Sequence, residues 1–100
     1  MYKLIALYDR PDDEEAFMAH YTSVHMPLVQ ATPGLIAAKA WRVKANAMGG
    51  EAPLFLVAEM SYPDKATFDA AMASKENRAA GKDLMSFARD KVTLLIAEEV

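Results

Sequence analysis

The sequence predicts an α+β domain in which two helical stretches cover one face of a four-stranded antiparallel sheet. Three observations lead there. Strand-like segments open and close the chain, Tyr2–Tyr8 and Val92–Glu98. Two more lie together in the middle, over 35–44 and 54–61, separated by a loop that holds Gly49-Gly50. Segments of helical spacing run between the outer and the inner strands, so the order is βαββαβ.

Residues 2–8 are apolar on both alternating faces, Tyr2/Leu4/Ala6/Tyr8 and Lys3/Ile5/Leu7, and Asp9-Arg10-Pro11 breaks the strand. A helix follows. Asp12 is placed to cap it, with Glu15 three residues on in a variant of the capping box. Asp13, Glu14 and Glu15 put negative charge at the positive end of its dipole. Phe17, Tyr21 and Val24 form an apolar stripe with His20 beside it. Pro27 disfavours helical geometry at Met26, so this helix is expected to end near His25. The second strand spans 35–44 and a glycine-based hairpin loop spans 45–53. The third strand, 54–61, puts Leu54, Leu56, Ala58 and Met60 on one face and Phe55 and Val57 on the other. Pro63-Asp64 opens a second helix through Phe68 and Met72. Ser74 caps a further run, expected to break near Gly81 and resume over 83–88. Val92–Glu98 closes the sheet. This is the ferredoxin-like arrangement, expected as a single domain over residues 1–100.

Composition narrows the function classes. Apolar residues make up 53% of 100 residues, more than one small core needs. Two helical stretches cover only one face of a sheet, and a wet face should alternate with polar residues. Strands one, three and four do not. A homodimer that packs sheet against sheet is expected, with a self-complementary two-fold contact. The chain has no cysteine, which excludes disulfides and thiolate chemistry. The net charge is −3, from 11 basic and 14 acidic residues without a basic stripe, so no nucleic-acid partner is expected. The start of the chain does not read as a signal peptide, and no apolar run reaches the ~18 residues of a membrane span. A soluble cytoplasmic protein with no membrane partner is the expectation. Phosphate loops, dinucleotide fingerprints, serine elbows and zinc motifs are absent, so no cofactor is expected.

The densest chemistry lies in His20-Tyr21-Thr22-Ser23-Val24-His25-Met26-Pro27-Leu28, followed by Thr32-Pro33-Gly34-Leu35. Tyr21 and His25 stand one helical turn apart on one face. This stretch with Phe17 resembles the signature of the EthD family. So do Pro63-Asp64, Phe68, Met72, Ser74, Asp83-Leu84, Phe87 and Glu98-Glu99-Val100. Where many members carry a tryptophan near Tyr21, this chain has His20. The resemblance covers nearly the whole chain and implies a dimeric α+β barrel, in a superfamily with small monooxygenases, muconolactone-type isomerases and haem-binding members. It also implies xenobiotic degradation: the family takes its name from a protein encoded beside a cytochrome P450 system that degrades ethyl tert-butyl ether. An oxygenase-system partner follows from the same resemblance.

His25 is the leading catalytic candidate, as a general acid/base acting on an apolar substrate. The alternative is a structural imidazole that fixes the turn at Pro27. Tyr21 would orient His25 or donate to a substrate oxygen, or else serve as a core aromatic. Trp41, Met26, Met60 and Tyr8 are expected to shape the substrate pocket, core filling being the alternative. His20 and His25 read as a poor metal pair: five residues at ~100° each put them about 140° apart round an α-helix, so no metal site is expected. The functional expectation is a cofactor-free oxidoreductase, isomerase or dehydratase acting on a hydrophobic small molecule, such as an ether, another xenobiotic or an aromatic compound. The second reading is a non-catalytic accessory or ligand-binding protein that supports a neighbouring oxygenase.

Overall fold

A computed structural model describes residues 1–100. Its strands are β1 (Tyr2–Tyr8), β2 (Ala37–Arg42), β3 (Leu56–Tyr62) and β4 (Val92–Glu98). They form one sheet in the order β2-β3-β1-β4, antiparallel throughout. The ferredoxin-like α+β order read from the sequence is the order observed.

The register fixes which side chains share a face. Leu4 pairs with Met60 and with Ile96, and Ala6 pairs with Ala58 and with Leu94. These point to the helical layer, together with Tyr8, Leu56 and Tyr62. Ile5, Leu7, Val57, Trp41 and Leu95 point the other way. On that outer face Lys3 Nζ meets Glu59 Oε1 at 2.6 Å. Nothing in the chain covers it, and Trp41 and Leu95 are 48% and 45% exposed.

The first helical stretch differs from expectation at both ends. Its cap is Asp13 rather than Asp12: the Asp13 carboxylate accepts the Ala16 amide N–H at 3.0 Å. It then runs without a break as α1 (Glu14–His20), a π-helical turn (Tyr21–His25) and α2 (Met26–Gln30). Pro27 does not end the helix. The π turn widens the ladder by one residue, so that the Met26 amide donates to Tyr21 O. Proline then sits near the start of α2, where a missing N–H is tolerated.

The second helical stretch is α3 (Lys65–Met72) and α4 (Lys75–Ala88). Asp64 and Ser74 cap them as expected, accepting from the Thr67 and Asn77 amides. The expected break at Gly81 does not occur, because α4 packs on the sheet along Ala80, Leu84 and Ala88, and tertiary packing outweighs one glycine. The core lies between sheet and helices, and Tyr8, Tyr62, Phe55 and Leu56 are its largest fully buried side chains.

Candidate functional site

The π turn decides where the two histidines point. In an α-helix, residues five apart diverge; a π turn closes over one residue more, so they stack. His20 and His25 therefore converge, against the expectation that they stay apart. Both meet the carboxylate of Asp83 on α4. His20 Nε2 lies 2.9 and 3.1 Å from the two Asp83 oxygens, and His25 Nδ1 lies 3.0 Å from Oδ2. An ionised carboxylate only accepts, so the Nδ1 that meets it carries a proton, and the neutral ring then presents a lone pair at Nε2. No group of three or more His, Asp or Glu side chains is arranged to hold a metal ion.

The imidazoles sit in an aromatic frame. The Phe87 ring lies 4.5 Å from His20 and 5.2 Å from His25, and Tyr21 lies 5.7 Å from His25. His20 keeps a third of its side-chain surface in solvent, whereas His25 is buried. Burial depresses the His25 pKa below its ordinary 6.5, and the charge of His20 acts the same way; the hydrogen bond to Asp83 and its charge act in the opposite sense. His25 is thus held as the neutral base near neutral pH.

His25 lines a cavity of about 150 Å³ between the sheet and the helices. Tyr8, Met60 and Tyr62 form part of the sheet side, and Val29, Ala80 and Leu84 part of the helix side. Leu94 stands at its edge, 46% exposed. His25 Nε2 has no protein partner, and the protein has no fully buried side-chain nitrogen or oxygen left unpaired. That atom therefore opens onto the cavity. Burial pushes the Tyr8 phenol well up, reinforced by Tyr21 and by the charge of Asp83, so it is a donor and not a base. No Lys, Arg, Asp or Glu lines the cavity.

The candidates read from the sequence fall into two groups. His25, Tyr8 and Met60 line the cavity. Tyr21, Met26 and Trp41 do not. Tyr21 is a buried wall behind the imidazole, stacked on Phe17 at 6.3 Å, its phenol pushed up to about 12 by burial. Met26 packs against the core from the π turn's end. Trp41 pairs with Val57 and so projects from the outer face, away from the helices. Asp83 was missed as a functional residue. It follows His25 by 58 positions, and no spacing rule links them.

Residues 10–91 match the model of the EthD domain. The chain belongs to the EthD family. An uncharacterised 11.0 kDa protein from the thcB-thcC intergenic region of Rhodococcus erythropolis is 35% identical over 100 residues, 99% of this chain and 95% of that protein. An EthD family protein of Bacillus halodurans C-125 is 44% identical, with a TM-score of 0.94 over 100% of this chain and 99% of its own. A dimeric ferredoxin-like protein of unknown function from Thermobifida fusca shares the fold at 16% identity, with a TM-score of 0.71 over 98% and 90% of the two chains.

Proposed function

We propose that this EthD-family protein is a small acid/base enzyme of hydrophobic small-molecule metabolism, with His25 Nε2 as the base. One observation carries the reading: an imidazole fixed through Nδ1 by a carboxylate presents its other nitrogen to an apolar cavity. That arrangement supports proton abstraction from a bound substrate. Asp83 stabilises the imidazolium that forms, and the protonated Tyr8 phenol supports charge developing on a substrate oxygen. Isomerisation, dehydration and oxygenation of an activated carbanion all begin with this step. His25 and Asp83 supply it from the chain itself. The working unit in this reading is a homodimer closed through the uncovered outer face, whose apolar strands are the support for it.

The test is the disappearance of neutral aromatic and carbonyl compounds incubated with the protein, wild type against His25→Ala. Turnover lost at least a hundredfold, with circular dichroism and dimer mass unchanged, supports the enzyme. Turnover that survives the substitution overturns His25 as its base. No turnover by the wild type, together with a requirement for added oxygenase components, favours the accessory role.

A further inference from the structure

We propose that the cavity receives a small uncharged hydroxyl compound, the size of a single-ring phenol, which donates its hydroxyl proton to His25 Nε2. The inference rests on His25 as the cavity base and goes further by naming what that base meets.

Size comes first. A cavity of about 150 Å³ with a mostly apolar lining, to which Thr32, Tyr62 and Asn77 also contribute polar groups, holds one six-membered ring. Charge comes second. The lining offers no cationic side chain to an anion. Behind the His25 ring stands a negative charge, the Asp83 carboxylate bonded to Nδ1. A carboxylate or phosphate ester would enter without a countercharge and face that negative charge across one imidazole. The hydrogen-bonding inventory comes third. His25 offers a lone pair at Nε2, so the ligand must bring a proton. An alcohol, phenol or enol brings one, and an ether does not. Covering Nε2 with a ligand that cannot pair with it lowers affinity roughly tenfold to a hundredfold. The Tyr8 hydroxyl has no protein partner either and lines the same space. It can donate to the ligand oxygen, so one hydroxyl group satisfies both.

The experiment is a titration of histidine-¹⁵N-labelled protein with phenol, anisole, benzene and benzoate, followed by NMR at the His25 ring nitrogens. Phenol should saturate and move Nε2. Anisole and benzene should bind at least tenfold more weakly, and benzoate should not bind. Tyr8→Phe should weaken phenol several-fold and leave benzene unchanged, and it introduces no new polar group. Anisole or benzene binding as well as phenol overturns the hydroxyl requirement, and benzoate binding best overturns the uncharged class. In both cases the His25 signals still respond, so the underlying site reading survives. If no probe moves them, the cavity is not a ligand site, and both readings fail.

Discussion

Burial of a neutral imidazole has a thermodynamic signature. The folded pKa of His25 lies below the unfolded 6.5. Below that value the unfolded chain binds a proton that the folded chain resists, so stability is complete above about pH 6.5 and falls as the pH drops toward the folded pKa. Urea denaturation at pH 7.5 and 5.0 should show this loss, at no more than about 1.4 kcal/mol per pH unit, and His25→Leu should flatten that slope. Asp83→Ala leaves the buried Nδ1–H without its partner and should cost about 1–3 kcal/mol, read from the same denaturation curves. Of this site, the sequence showed the imidazole and its apolar setting, because residue type and local spacing carry them. The carboxylate was not legible, since its partnership with His25 exists only once α4 lies against the π turn.

Among the elements, the strands and the caps at Asp64 and Ser74 could be read from alternation and cap chemistry, which are local. The two errors in the helices have different causes. At Pro27 the π turn shifts the ladder by one residue and takes the proline in, whereas at Gly81 the packing of α4 on the sheet outweighs the local preference for a break. At Gly81 the consequence is measurable. A Cβ built there meets nothing within 4 Å, and the residue borders the cavity. Gly81→Ala should therefore raise stability by about 0.5–1 kcal/mol in thermal unfolding. It should also narrow the cavity and weaken a bound aromatic ring in calorimetric titration. The glycine favours an open pocket over a stronger helix.

At the scale of the whole molecule, the helices cover one side of the sheet except along β4, where Leu94 and Ile96 are exposed, and the other side leaves Trp41 and Leu95 exposed beside half-buried Ile5, Leu7 and Val57. Trp41 belongs to this surface and not to the cavity; alternation along 35–44 separates it from Arg42 but does not say which face meets the helices. Leaving large apolar side chains exposed forfeits roughly 1.5–3 kcal/mol each. Wild type should sediment at twice the chain mass, and Leu95→Lys, which places a charge amid that face, should sediment as a single chain. Because the cavity lies on the opposite side of the sheet, the monomeric variant should keep most of the pH-dependent stability described for His25.

The wide turn in the first helix implies a coupled pair of changes. It contains one residue more than an α turn, and Ser23 within it is exposed. Deleting Ser23 alone would place proline four positions after a carbonyl it must strike, costing about 3 kcal/mol. Deleting Ser23 while replacing Pro27 with alanine removes the surplus residue and the obstacle together. The two imidazoles then stand four apart and still share a side of the helix. The double change should fold where the lone deletion falters, making extra residue and proline a matched insertion.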